Sequence, residues 1–284
     1  MTQYKRQVSV VIGTPGQEAL LIKLLRVVFN IRKDDSEDPN DATITIYNLS
    51  EESRNQKIET GQLVYLSAGY EDDEGLDTIF IGNISNISHS LVPPDVVTTI
   101  TARDGSKDIL EKKISLSYKP GVSGELILTK ILESFSMSSN FSSIQFTDKQ
   151  YANGFTFAGP SSKALTKVAR FLDLSWSIQD NEIRLVEFDG SDQIRSILLS
   201  PSTGLIGSPE KQLFTDRKAK GLSSEDNIPG YRLLTLLQPK VVPNGKVVIQ
   251  SKEIQEQTEF TVMNIAHNGD THGSDWNSEI EVKE

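Results

Sequence analysis

The densest cluster of chemically capable side chains lies near the end of the sequence, in residues 267–276, HNGDTHGSDW. Imidazole and carboxylate groups are ligands that zinc, manganese and iron accept in proteins. His267, Asp270 and His272 could therefore serve a metal-dependent hydrolase, although their spacing matches no closed zinc site. The same composition is typical of a Gly-rich turn whose polar side chains bond to their own backbone. We favour the turn, and predict no metal-binding residue here.

Other candidate sites carry weaker signals. The acidic run at residues 71–74, EDDE, offers oxygen ligands for calcium but lacks the spacing of an EF-hand loop, so we expect a solvated turn. A Ser/His/Asp triad could use His267 or His89, but no Gly-x-Ser-x-Gly elbow marks a nucleophile. Residues 204–208, GLIGS, lack the lysine of a phosphate-binding loop. We therefore predict a protein that is not an enzyme, with no catalytic residues and no cofactor.

Composition excludes several functions. The chain has 284 residues, no cysteine, and 29 Lys and Arg against 39 Asp and Glu, for a net charge of −10. Disulfides, cysteine zinc sites and thiol catalysis are therefore excluded. A negative chain is not expected to wrap DNA, because like charges repel, but DNA could pass through a channel in it. The basic fragment at residues 217–220, RKAK, is interpreted as a solvated segment.

The sequence predicts neither a membrane span nor an export signal. The most apolar stretch, residues 19–31, is interrupted by Lys23, Arg26 and Asn30 and is too short to cross a bilayer. Residues 8–12 have the length of a strand and not that of a signal-peptide core. We therefore expect the protein to begin in a cytoplasm, from which it could join an assembly elsewhere.

The elements that must position these residues are mainly strands. Ala42, Ile44 and Ile46 alternate with polar residues, the period of a half-buried strand, and residues 63–66, 78–81 and 96–102 repeat the pattern. Several short strands separated by turns are typical of a barrel or sandwich. We predict a β domain over residues 1–105, with a helical turn at residues 50–57 capped by Ser50.

The pattern changes to an α+β module over residues 106–186. After a strand at residues 114–118, one helix is predicted to follow Ser123, and a second to begin near Ser161. A hairpin should then place Trp176 and Ile178 opposite Ile183 and Leu185, across a turn at Asp180 and Asn181.

Residues 187–284 return to β structure and are predicted to form a second β domain. A polar stretch at about 208–230 is interpreted as a long surface loop. Residues 241–242 and 246–249 flank Pro243, Asn244 and Gly245, which indicates a hairpin. Two closing strands are expected around Phe260 and Val262, and around Trp276, Ile280 and Val282.

Several segments together resemble a known family. Residues 42–50, ATITIYNLS, with Gly61 and the strand that ends at residues 68–70, resemble the first domain of baseplate hub proteins from contractile-tailed bacteriophages. The segments at 81–84, 102–105, 203–209, 236–239 and 267–276 are similar to further parts of that family. Their order and spacing, more than any single segment, carry the resemblance.

The resemblance implies a structural virion protein. Hubs of this family form a trimeric ring that joins the hexameric tail tube to the trimeric central spike and lines the DNA channel. It implies two tube-like β domains in each chain and an α+β docking module at the periphery that meets other baseplate proteins. It also implies a location in the tail baseplate after assembly in the host cytoplasm, without membrane insertion. An acidic channel wall would repel phosphates and so avoid trapping DNA.

A second hypothesis is a β-sandwich module of a phage tail that binds a host glycan. Such modules expose aromatic rings on which sugars stack. Trp176 and Trp276 fall in predicted strands at inward-facing positions, so we expect both to belong to the core. The hub is the preferred interpretation, and the metal-dependent hydrolase is the weakest of the three.

Overall fold

Alternating apolar residues do build strands throughout the first third of the chain. The computed structural model describes residues 5–71, 75–141, 144, 146, 148–187, 196–215 and 227–283. The first seven strands are β1 (Arg6–Gly13), β2 (Leu20–Ile22), β3 (Val27–Asp34), β4 (Asp41–Tyr47), β5 (Leu63–Tyr70), β6 (Gly75–Val92) and β7 (Asp95–Arg103). A short π-helical turn, Ser53–Lys57, follows β4, and the Ser50 hydroxyl accepts the Ser53 backbone N–H at 3.2 Å, which confirms the predicted cap.

The middle of the chain is the predicted α+β module. Its elements are α1 (Ser106–Glu111), β8 (Lys113–Tyr118), β9 (Val122–Ser123), α2 (Gly124–Leu132), β10 (Ser138–Asn140), β11 (Gln150–Tyr151), β12 (Phe155–Pro160), α3 (Ser161–Phe171), β13 (Leu174–Gln179) and β14 (Glu182–Glu187). Both predicted helices are confirmed, as is the hairpin, in which Trp176 lies opposite Leu185 and Ile178 opposite Ile183. The turn residues Asp180 and Asn181 both have positive φ, which suits a two-residue hairpin.

The last third contains β15 (Ile197–Leu199), β16 (Leu205–Thr215), β17 (Asn227–Leu236), β18 (Lys246–Ile249), β19 (Thr258–Asp270) and β20 (Trp276–Lys283). The two closing strands, β19 and β20, are confirmed. The predicted loop at 208–230 is wrong where it can be compared, because residues 208–215 belong to β16 and 227–230 to β17. Residues 216–226, which include the basic fragment, lie outside the described residues.

The predicted hairpin around Pro243 is also wrong. The turn exists, and Asn244 has a φ of 61°, but residues 241–242 form no strand. Instead the Asn244 N–H donates to the Val262 carbonyl at 2.9 Å, and β18 pairs with β19 on one side and β15 on the other. The turn therefore leads into β18, which pairs with β15 and β19 and not with the residues just before the turn.

The two β regions share one sheet. Eight strands follow one another in the order β16-β17-β20-β19-β3-β4-β7-β6, and all the neighbouring pairs are antiparallel. β19 pairs with β3 over residues 264–270 and 28–34. We call this pairing the seam, because it joins the last third of the chain to the first through backbone hydrogen bonds.

Three clusters of buried apolar side chains support the elements. One lies among β1–β7, one within the module, and one among β15–β20. Leu237 and Trp276, from the last third, are buried in the first cluster, so the seam is packed as well as hydrogen-bonded. The domain limits at 105 and 186 stay predictions. In the described part of the chain, no helix is both long and apolar enough to cross a bilayer.

Candidate functional site

The candidate functional site is one face of the eight-strand sheet, which we call the polar face. Side chains of a strand alternate between its two sides, and in β4 Ala42, Ile44 and Ile46 are buried while Asp41 and Thr43 point outwards. β3, β19 and β20 alternate in the same way. The outward positions of successive strands are in register, so they form rows that cross the sheet.

From β20 to β6 the central row consists only of carboxamides and hydroxyls, and Leu236 of β17 lies beyond its end. Directly opposed residues on successive strands are Asn277, Asn268, Asn30, Thr43, Thr101 and Asn86. The Asn30 Nδ2 group donates to Asn268 Oδ1, and Asn268 Nδ2 donates to Asn277 Oδ1 at 3.3 Å. The row thus presents a line of neutral polar groups, three of which are held in place by hydrogen bonds to one another.

A row of hydroxyls flanks it on one side. Thr45 lies opposite Thr99, which lies opposite Ser88, and the Thr45 and Thr99 hydroxyls are 3.5 Å apart. Around β3 and β19 the face has a shallow depression of about 380 Å³, lined by asparagine, threonine and acidic residues together with Val28, Phe29 and Gly269. These groups can hydrogen-bond to water or to a passing polar chain. None of them is a strong nucleophile, and they do not form a set of metal ligands.

The row on the other side carries charges of alternating sign. Glu279, Arg32, Asp41 and Arg103 follow one another across the sheet, with Ala266 between the first two. Asp41 accepts a hydrogen bond from Arg103 at 2.7 Å. Beyond this row Glu281 pairs with Arg232, also at 2.7 Å, and the hydrogen bond raises the pKa of the arginine. The net acidity of the chain is therefore not concentrated on the polar face.

The histidine segment anchors the seam. His267 is buried in β19, where its Nδ1 atom lies 2.8 Å from the Ser278 hydroxyl. Burial, with a contribution from Lys33, lowers the pKa of His267 to about 3, so the ring is neutral. Asp270 binds the Arg26 guanidinium through both carboxylate oxygens, at 3.1 and 2.6 Å, and this hydrogen bonding lowers the pKa of Asp270.

The turn interpretation of this segment agrees with its hydrogen bonds. Asp270 Oδ1 accepts the backbone N–H of His272 at 2.9 Å, while the His272 ring lies beside the Thr271 hydroxyl. Within the described residues, no group of three or more His, Asp or Glu side chains is arranged to hold a metal. Gly269 is required by the packing, because a Cβ atom there would lie 2.2 Å from the Phe29 ring.

The other sequence candidates lie apart from one another. His89 is on the exposed end of β6, with Nδ1 3.1 Å from the Thr98 hydroxyl. Glu71 pairs with Lys5 at 3.2 Å, and residues 72–74 of the acidic run lie outside the described residues. Residues 204–208 lead into β16, a strand and not the helix that a phosphate-binding loop would precede. Where these candidates are described, they lie on elements other than β19, which carries His267.

Both tryptophans are buried, as expected. Trp276 packs edge-on against Phe29 and Tyr70, with ring centroids 5.6 and 6.4 Å apart. The Trp176 indole N–H donates to the Thr166 hydroxyl at 3.2 Å. Neither ring is available for stacking on a sugar, which removes the observation that would favour glycan binding.

A second polar site, which the sequence did not predict, lies where the hairpin of β13 and β14 meets the first β region; we call it the module junction. The buried carboxylate of Asp104 accepts the backbone N–H groups of Asp180 and Asn181, each at 2.7 Å. Desolvation, with the nearby Asp180 charge, raises the pKa of Asp104 to about 7. Lys33 Nζ binds Asp180 Oδ1 at 2.6 Å.

Two amides complete the module junction. Asn40 donates to the Ile178 carbonyl at 2.6 Å and Gln179 to the Asp34 carbonyl at 2.7 Å. The hairpin tip of the module is thus held to the first β region by buried polar groups. The only available sequence signal was the turn at Asp180 and Asn181, which does not reveal its partner.

Comparisons with known proteins identify the architecture. A family model described as baseplate hub gp41 matches residues 7–212. The tail protein from Neisseria meningitidis MC58 is similar in structure, with a TM-score of 0.66 and 11% sequence identity, over 98% of this chain and 96% of that chain. The 43 kDa tail protein of prophage MuSo2 from Shewanella oneidensis has a TM-score of 0.64 and 10% identity, over 96% of each chain.

A third similar structure comes from Escherichia coli. Its c3393 protein, a component of the type VI secretion system with structural similarity to the T4 bacteriophage tail proteins gp27 and gp5, has a TM-score of 0.58 and 12% identity, over 96% of this chain and 76% of that chain. Among curated proteins, none matches this sequence. The structural likenesses show the fold, which is mainly β with an α+β insert.

Proposed function

Because this chain belongs to the baseplate hub gp41 family of bacteriophage tail structural proteins, we propose that it is the homotrimeric hub that joins the hexameric tail tube to the trimeric central spike. In this role it catalyses no reaction and holds no cofactor. It meets the tube protein, the spike protein and other baseplate proteins, and it assembles in the host cytoplasm before it becomes part of the virion tail.

The observation that carries the proposal is the single sheet that spans two β regions of one chain. The seam fixes the two regions side by side through seven residue pairs. If each region occupies one position in a ring, one chain fills two positions and three chains fill six. Such a ring could face a sixfold tube on one side and a threefold spike on the other.

The polar face is the surface that suits the DNA channel. Phosphates are held by unpaired Lys and Arg side chains, whereas the central row of this face is neutral and two of its arginines, Arg103 and Arg232, are paired with carboxylates. Neutral amides and hydroxyls hydrate a passing polyanion without fixing it. The sequence led us to expect an acidic channel wall, whereas this face would avoid trapping DNA through its balanced charges.

The module is proposed to lie at the periphery and to dock other baseplate proteins. The module is attached through the module junction, at the turn between β13 and β14. Leu126 on α2 is exposed and could contact a partner. The E. coli relative, described as similar to tail proteins gp27 and gp5, supports a partnership with tail components.

The first test is the absolute mass of the purified protein in solution. Light scattering behind a sizing column should give about three times 31.5 kDa. A stable hexamer would indicate a tube protein instead, and a chain that stays monomeric at every concentration would contradict a ring formed by this chain alone.

The second test concerns the channel. Thr43→Lys adds a cation to the central row, whereas Thr78→Lys adds one to an exposed strand position away from it. Virions that carry Thr43→Lys should eject DNA more slowly, because the new ammonium groups bind phosphates. Equal ejection rates for the two variants would show that the polar face does not line the channel.

A further inference from the structure

We propose that the α+β module undocks from the first β region as a rigid body, by opening of the module junction, where Asp104 holds the hairpin turn, while the seam stays closed. The inference goes beyond the proposed function, because it concerns motion within one chain and does not depend on a ring. A partner bound to the module could then change its position without disturbing the sheet that carries the polar face.

The core of the first β region ends in a polar row where it meets the module. Side chains on one side of a strand recur at every second residue. The last apolar row on β3, β4 and β7, which is buried in the first core cluster, is Ile31, Ala42 and Ala102. The next positions on the same side, which are also buried and which we call the junction row, are Lys33, Asn40 and Asp104.

Every member of the junction row binds the hairpin turn of the module. Lys33 contacts a carboxylate, Asn40 a backbone carbonyl and Asp104 two backbone N–H groups, all within residues 178–181. In addition, the Thr166 hydroxyl of α3 donates to the Glu37 carboxylate at 2.7 Å, in the loop between β3 and β4. These contacts are polar, so each group can exchange its partner for water when the junction opens.

The apolar packing of the module does not depend on docking. Its cluster of buried apolar side chains shares no member with the clusters of the two β regions, among the residues described. Polar contacts between separate cores permit relative motion. The seam differs, because Leu237 and Trp276 from the last third are buried in the first cluster. Opening the seam would expose apolar surface to water, which is costly.

A short connection at the junction permits rotation. β7 ends at Arg103 and α1 begins at Ser106, so Asp104 and Gly105 lie between the two elements. Gly105 has a φ of 57°, in a region that glycine enters and leaves without steric cost. Changes in the backbone angles of this one residue can therefore turn the module relative to β7.

Asp104 also links docking to the pH. The charged groups that face it are Asp180 from the hairpin turn and Lys33 from β3, while its neighbour Asn40 is neutral. Burial and the charge of Asp180 raise the pKa of Asp104 to about 7 in the docked module, whereas the ordinary value is 3.8. The docked state therefore binds a proton more tightly, and a rise from pH 5 to 7 should weaken docking by up to about tenfold per pH unit.

Distances between spin labels test the motion, because the chain has no cysteine of its own. Leu126→Cys on α2 and Thr78→Cys on β6 place labels at exposed positions on the two sides of the junction. Leu213→Cys on β16, combined with Thr78→Cys, is the matched control across the seam. Labelled chains are mixed with an excess of unlabelled chains, so that electron paramagnetic resonance measures only distances within one chain.

The pair of labels across the junction should show one distance at pH 5 and gain a second, longer distance as the pH rises to 8. The pair across the seam should keep one distance. Asp104→Asn should abolish the pH dependence, because a carboxamide does not titrate in this range. Asp104→Ala should populate the longer distance already at pH 5, at least about tenfold more than the exposed substitution Asp41→Ala.

Three outcomes would overturn the proposal. The first is a single distance across the junction at every pH in the protein with an unchanged junction, a measurement that misfolding of a junction variant cannot affect. The second is a longer distance in both pairs of labels, which would show that the seam opens as well. The third is a pH dependence that persists in Asp104→Asn. None of these outcomes changes the mass of the trimer, so failure here is distinct from failure of the proposed function.

Discussion

The seam and the module junction connect parts of the same chain in different ways. At the seam, β3 and β19 share a backbone ladder, and Trp276 from the last third is buried among residues of the first. At the module junction, buried side chains accept and donate hydrogen bonds, and the cores on its two sides form separate clusters. At the seam, many backbone hydrogen bonds and apolar contacts share the task of orienting the two regions, so the loss of any one backbone bond costs little. At the module junction, a few hydrogen bonds to a buried carboxylate orient the module, and each of them is costly to lose.

The largest expected effect is at the seam. Trp276→Ala should lower the free energy of unfolding by about 3–5 kcal/mol, because it leaves a large cavity against Phe29 and Tyr70. Urea denaturation followed by circular dichroism measures the loss. Trp176→Ala, in the module core, is the matched control and should spare the β regions in hydrogen exchange. Equal protection of the β regions in both variants would show that the seam does not depend on shared packing.

The next effect is at the module junction. Asp104→Ala removes the buried acceptor of two backbone N–H groups, so a loss of about 2–4 kcal/mol is expected. Asp41→Ala removes an exposed carboxylate paired with Arg103 and should cost about 1 kcal/mol or less. If the two variants unfold at the same urea concentration, the buried carboxylate does not hold the module in place.

The pH dependence should differ in sign between the two sites. The pKa of Asp104 in the folded protein is raised to about 7. Its contribution to the free energy of unfolding is therefore complete below the unfolded pKa near 3.8 and is lost as the pH rises to 7. The pKa of His267 in the folded protein is lowered to about 3. Its contribution to the free energy of unfolding is therefore complete above the unfolded pKa near 6.5 and is lost as the pH falls towards 3. Between about pH 4 and 6.5 the two slopes oppose each other and nearly cancel.

Single variants should uncover each slope. Asp104→Asn should give a stability that rises by up to about 1.4 kcal/mol per pH unit over this range, and His267→Gln one that falls by a similar amount. Denaturation of the three proteins at several pH values measures both. Parallel curves would contradict the assignment of these two groups.

The smallest effect is expected at the Arg26–Asp270 pair, which is partly exposed. Arg26→Lys keeps the charge but loses the two-bond geometry, so a loss of about 1 kcal/mol is expected. Arg232→Lys, which alters a single-bond contact with Glu281, is the control and should cost less. An equal or larger loss at Arg232 would show that the bidentate pair adds nothing to the seam.

The sequence alone determined the local elements. The alternation of Ala42, Ile44 and Ile46, the Ser50 cap and the hairpin at Asp180 and Asn181 were predicted, because each depends on residues close together in the chain. The predicted burial of Trp176 and Trp276 followed from the same alternation. Residues 208–215 and 227–230 were mistaken for a loop, since many of their residues are polar and do not alternate regularly with apolar ones.

Only the tertiary structure decided which elements meet. Asn30 and Asn268 lie 238 residues apart in sequence and next to each other across the seam, and Asp104 finds its partners 76 and 77 residues away. Their residue types are compatible with many other surface positions. The alternation of residues in a strand shows which side chains are buried but does not show which strand lies beside it. Strand pairing depends on the burial of the whole sheet and on the entropy of closing the chain that connects the paired strands.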